Sequence, residues 1–289
     1  MSEFTVRLAT MVCVLVFLYN MQSSAHVWNS TTAPVTNLPV NPNDPFYEKF
    51  QKVPSIEVTE DNFMTNFLFI NPTNKRSKRQ ADTLLIDNVI VMDGSGSVGN
   101  CEFQRGKAAI KNMMKSANAV AVKNKDDVKY AAVTFSTSAR VNFKFLPYST
   151  AEQKLSMIQF PSGSTNTQAG LAEAMKLFVE SLTGGRFADR KNVLLITDGQ
   201  SNVKKHLTVP NADRLKRLGV HIYVFAVGSY ISGIGEMVQL AGSSSSSSPD
   251  DFLFRMNSYH QLWEFSKLVV TKLASSGKYI SLSPAPSPC

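Results

Sequence analysis

From residue 83 onward, short apolar runs alternate with longer segments of helical periodicity, and this alternation limits the folds open to the chain more than any other feature. "TLLIDNVIVM" (83–92), "VKYAAVTFS" (128–136), "KNVLLIT" (191–197), "GVHIYVFAV" (219–227) and "DFLFRM" (251–256) read as strands. Between and after them, 101–120, 167–182, 211–218, 232–241 and 258–275 carry apolar residues at helical spacing. Several strands are apolar on both faces, as expected of a sheet buried on both sides, and "ARVNFKF" (139–145) alternates like a half-exposed edge strand. The order predicts a doubly wound α/β fold: a mostly parallel central sheet, one antiparallel edge strand, and helices on both faces.

In such a sheet, ligands sit beyond the carboxyl ends of the strands. Three segments fall there. Asp93-Gly94-Ser95-Gly96-Ser97 follows the first strand, Asp198-Gly199-Gln200-Ser201 follows "KNVLLIT", and "SGSTNTQAGL" brings Thr165 and Thr167 to the start of a helix. The first segment supports two readings. Gly94, Gly96 and Gly99 spell G-x-G-x-x-G, a dinucleotide loop, while Asp93, Ser95 and Ser97 spell D-x-S-x-S, a metal loop. A pyrophosphate needs a positive surround, and Asp93 and Asp198 supply the opposite. The second strand also ends "TFSTS", without the acid that would hold a ribose. Two carboxylates with several hydroxyls form an all-oxygen set suited to a hard divalent ion, Mg²⁺ or else Mn²⁺ or Ca²⁺. The plainer reading, that Asp93 caps the following helix, leaves Asp198 and the Thr165 loop unexplained.

On these residues the chain resembles the von Willebrand factor type A domain. D-x-S-x-S after the first strand, "GSTNTQAGL" before an amphipathic helix and "LLITDGQS" after a strand match that family's metal-ion-dependent adhesion site in order, and the resemblance spans about 83–275. It implies that Asp93, Ser95 and Ser97, then Thr165, then Asp198 hold the ion, and that an acidic side chain of a protein ligand completes its coordination. Within the family, the chain resembles the extracellular matrix branch, such as matrilins and the type A modules of non-fibrillar collagens. This implies a secreted adhesion or matrix protein, with a crosslinking component of a fibrous or mineralised matrix as the alternative.

The flanks fit secretion. Arg7, an apolar run from Leu8 to Tyr19 and small residues up to Ala25 describe a signal peptide over 1–25. Residues 26–79 are rich in Asn, Pro and Thr and are expected to be a largely disordered leader, in which "NFLFI" (66–70) could cover an apolar patch. Asn29 begins the sequon Asn29-Ser30-Thr31, and Arg76-Ser77-Lys78-Arg79 resembles a furin-type cleavage site. The domain is then expected over 80–276, with a Ser/Pro-rich tail, 277–289, ending in Cys289. With Cys13 in the signal, Cys101 and Cys289 remain, leaving open a disulfide within one chain or a link between chains in a homo-oligomer. The net charge of +8 is thinly spread, with no arginine-rich helix or zinc-finger spacing, which argues against nucleic acid as a partner. No stretch after the signal is apolar enough to span a membrane. The chain has no G-x-S-x-G elbow, and only His206 among the histidines falls near a rim loop, so catalysis is not expected.

Overall fold

The computed structural model describes residues 38–70, 83–244 and 248–275. The signal peptide, Asn29, Arg76, Lys78, Arg79 and Cys289 lie outside the described residues.

Six strands form one sheet: β1 Leu85–Asp93, β2 Asp127–Phe135, β3 Ala139–Pro147, β4 Arg190–Thr197, β5 Val220–Val227 and β6 Leu253–Met256, in the order β3-β2-β1-β4-β5-β6. Every pairing is parallel except β2 with β3. In β1 every residue from Asp87 to Asp93 is buried, because helices cover both faces. Two of these, α2 Gly99–Asn124 and α7 Tyr259–Ser275, pack against each other, with the Asn112 amide donating to Ser266 Oγ at 3.0 Å. The other α-helices of the domain, among the described residues, are α3 Tyr148–Ser156, α4 Thr167–Thr183, α5 Thr208–Arg217 and α6 Ile234–Leu240. The chain runs outward from β1 through β2 to β3, then returns to place β4 on the other side of β1. This reversal opens a crevice beyond the carboxyl ends of β1 and β4, bordered by Asp93 and Asp198.

At the opposite pole, Asp87 is 1% exposed and held by Arg186, whose Nε donates to Oδ1 at 2.6 Å, and by Ser181 Oγ at 3.0 Å. Arg186 also reaches Asp127 at 2.6 Å, tying the starts of β1 and β2 together. Cys101, in the first turn of α2, is disulfide-bonded.

The expectation of a largely disordered leader does not describe residues 38–70. A 3-10 helix, Pro45–Gln51, is capped by the Asp44 carboxylate, and helix α1, Ile56–Asn66, is capped by Ser55 Oγ. Tyr47, Phe50, Phe63, Met64, Phe67 and Leu68 are buried in the same core as the sheet. Phe63 is fully buried, its ring centroid 5.4–5.9 Å from those of Phe225, Phe254 and Phe265. Burying a phenylalanine side chain stabilises by about 1.5–3 kcal/mol, so a few such anchors outweigh the local Pro and Asn content. In "NFLFI", Phe67 and Leu68 turn inward, while Phe69 is half exposed with the Arg190 guanidinium 3.3 Å from its ring centroid.

Candidate metal centre

The three predicted segments converge at the crevice. Asp93 ends β1 and is 2% exposed; its Oδ1 accepts the Ser95 N–H at 2.8 Å and its Oδ2 accepts the Thr197 hydroxyl at 2.6 Å. Ser95 Oγ lies 3.0 Å from Ser97 Oγ, and Ser97 Oγ donates to Asp198 Oδ1 at 3.1 Å. Two hydroxyls therefore link carboxylates that are far apart in sequence. The tight loop requires Gly94, where a Cβ would meet Pro161 at 2.5 Å. The Gly96 N–H donates to the Gly163 carbonyl at 2.8 Å, joining this loop to the one that carries Thr165.

Thr165 is held by its backbone. Its carbonyl accepts from Ser201 Oγ at 3.1 Å and from the Asn202 N–H at 2.9 Å, and its own N–H donates to Asn202 Oδ1 at 2.9 Å. The segment after Asp198 thus fixes the loop before α4. Thr167, the other rim hydroxyl, starts α4 and has its Oγ1 buried without a hydrogen-bond partner.

Both alternative readings of the first loop fail on geometry. Four of its amides are already used: Gly94 N–H donates to Phe135, Ser95 to Asp93, Gly96 to Gly163 and Val98 to Ser95, which takes them away from a phosphate. Nor does Asp93 cap α2, whose N-cap is Val98 with no side-chain hydrogen bond.

The electrostatics favour a cation. Burial, opposed by the Thr197 hydrogen bond and reinforced by the charge of Asp198, raises the Asp93 carboxyl to about 6. Burial also raises Asp198. Among the described residues, no lysine or arginine forms a salt bridge with either. Also among them, no three His, Cys, Asp or Glu side chains gather as a metal cage; the donors here are two carboxylates and hydroxyls. A divalent ion would relieve the mutual repulsion of Asp93 and Asp198, and hydroxyl oxygens can serve it as neutral ligands.

Three neighbours of the site escaped the sequence reading. The Thr197 hydroxyl orients Asp93. Tyr259, at the start of α7, has a buried, unpartnered phenol raised well above its ordinary range by burial and by Asp93, Asp198 and Glu102. Glu236 on α6 accepts the Ser201 N–H at 2.8 Å, and burial raises it to about 7. Thr197 was visible as the residue before Asp198; nothing in the local sequence of Tyr259 or Glu236 marks them as neighbours of this crevice.

Comparison with known proteins agrees with this architecture. The von Willebrand factor type A domain profile matches residues 87–268. The collagen alpha-1(VI) chain of Xenopus laevis is 28% identical over 182 residues, which are 61% of this chain and 17% of that protein. Human integrin alpha-D is 24% identical over 195 residues, 65% of this chain and 16% of the integrin. The chain thus spans less than a fifth of these relatives. Among solved structures, proximal thread matrix protein 1 from the mussel byssus, in a form with a zinc-occupied metal-ion-dependent adhesion site, superposes with a TM-score of 0.50 at 22% identity, covering 67% of this chain and 46% of that one. With the sheet order and three converging loops described above, the chain belongs to the von Willebrand factor type A domain family, with relatives among matrix and adhesion proteins.

Proposed function

We propose that the protein is a secreted matrix or adhesion module that binds an acidic group of a protein ligand through one divalent ion. One observation carries the reading: Asp93, Ser95, Ser97 and Asp198 form a continuous oxygen-lined cluster whose carboxylates form no salt bridge with a lysine or arginine among the described residues. Asp93, Ser95, Ser97, Thr165 and Asp198 would hold the ion, Mg²⁺ in the first instance. The zinc-occupied site of the mussel protein supports a divalent ion at this position of the fold.

With only two carboxylates and otherwise neutral hydroxyls around it, a divalent ion would stay electrophilic and keep positions open for a further carboxylate. This chain's residues supply the rest. Thr197 and the Ser95 N–H hold Asp93 in place, and Ser201 and Asn202 hold the Thr165 loop. The exposed Lys204, on the segment following Asp198, adds positive charge at the rim. We further propose that residues 1–25 are removed on secretion, that Asn29 is glycosylated and that the chain is cut after Arg79. The test is a pull-down from native extracellular matrix. Capture that is lost in EDTA and with Asp198→Ala supports the reading; capture unaffected by both refutes it.

A further inference from the structure

The leader and the domain fit each other at five places. Phe63 fills a pocket between Phe225 of β5, Phe254 of β6 and Phe265 of α7. The Gln51 side-chain amide exchanges two hydrogen bonds with the backbone of Ile231, at 2.8 and 3.0 Å, pairing with it as a strand residue would. Arg255 of β6 is 3% exposed and donates to four carbonyls: Ala226 and Gly228 of the domain, Phe50 and Gln51 of the leader. Lys272 near the end of α7 reaches Glu60 at 2.6 Å and Asp61 at 2.5 Å. At Gly235 in α6, a Cβ would lie 2.0 Å from the Pro42 carbonyl.

Two of these contacts, at Gly235 and Arg255, concern what the domain itself is built for. Glycine is a poor helix residue, and here its place in α6 is explained by the leader backbone pressing on it. Without the leader, Arg255 would lose two of its four acceptors. Charge agrees as well: residues 38–70 carry five carboxylates against two lysines, in a chain whose net charge is +8.

We propose that this face, formed by β5, β6, α6 and α7, is a docking surface for the chain's own residues 38–70, and that the segment stays bound after the chain is cut between it and the domain. The inference rests on the proposed cleavage at Arg79 for its biological setting. The mature protein is then a two-piece noncovalent complex rather than a domain freed of its leader. The association is noncovalent because residues 26–79 contain no cysteine. Gln51 and Gly233 bracket one loop: Gln51 holds Ile231, while Gly233 lies against Gln200, two residues after Asp198. The retained leader thus braces the loop next to the proposed ion.

The test uses the full chain with Arg76-Ser77-Lys78-Arg79 replaced by the recognition sequence of a site-specific protease. After complete cutting, native gel filtration with intact-mass analysis is expected to give one species containing both pieces, separable in denaturant with or without reductant. A leader fragment that elutes alone overturns the proposal. In the cut protein, Lys272→Glu, a charge reversal on a half-exposed side chain, is expected to speed release of the leader at least tenfold at low salt; an unchanged release rate counts against the docking described here. Wild-type secreted protein is analysed in parallel. If it is a single uncut chain, the cleavage reading fails, and the engineered cut still decides whether the leader is held.

Discussion

Asp93→Asn should make the metal-free protein more stable while removing its response to metal. Asp93 is 2% exposed, and burial raises its carboxyl from 3.8 to about 6. At about 1.4 kcal/mol per pH unit, keeping it ionised in the fold costs about 3 kcal/mol at pH 8. Because the folded value lies above the unfolded one, the fold loses this stability as pH rises from about 3.8 through 6 and recovers it in acid. Asparagine has a similar shape: its carbonyl can still accept the Ser95 N–H, and its amide can donate to the Thr197 oxygen. Urea denaturation in EDTA at pH 8 should therefore show the variant about 3 kcal/mol more stable than wild type, with the gap closing toward pH 4. Adding Mg²⁺ should stabilise wild type by mass action and leave the variant unchanged. A variant equally or less stable than wild type in EDTA at pH 8 would refute the view that Asp93 is a burdened carboxylate awaiting a cation.

Other substitutions probe the frame around the site. Phe63→Ala should cost about 3–5 kcal/mol in denaturant unfolding, since its ring is fully buried among Phe225, Phe254 and Phe265; a loss below about 0.5 kcal/mol would mean the leader does not contribute to the core. Arg186→Ala should cost about 3–5 kcal/mol by leaving the buried Asp87 without its charge partner, and adding Asp87→Asn should recover part of that loss. Glu236 is raised from 4.5 to about 7, so wild type should lose stability between pH 4.5 and 7. Glu236→Gln, which keeps an acceptor for the Ser201 N–H, should flatten that profile; an unchanged profile would assign the slope to other groups.

Much of the domain was legible because its signals are local and repeated. The central strands announce themselves by unbroken apolar runs, and β3 by its alternation, which burial on one face requires. The convergence of the three candidate loops was legible for a different reason: in a doubly wound sheet the residues just after each strand must share one rim, so the segments of Asp93, Thr165 and Asp198 are brought together by topology alone. What stayed hidden depended on partners distant in sequence. The leader has the composition of a loose segment, and only the pocket made by Phe225, Phe254 and Phe265 gives Phe63 a reason to fold onto the domain. Helix α3 is short, and its two buried residues, Ala151 and Leu155, are too few for a periodic signal. Tyr259 and Glu236 reach the crevice from helices that begin far along the chain.

The proposed function requires that the crevice between β1 and β4 hold one divalent ion. Calorimetric titration of Mn²⁺ into metal-stripped wild type and into Asp198→Ala tests it most directly. The expected result is one ion per wild-type chain and no binding to the variant. No binding to wild type, or equal binding to both, would contradict it.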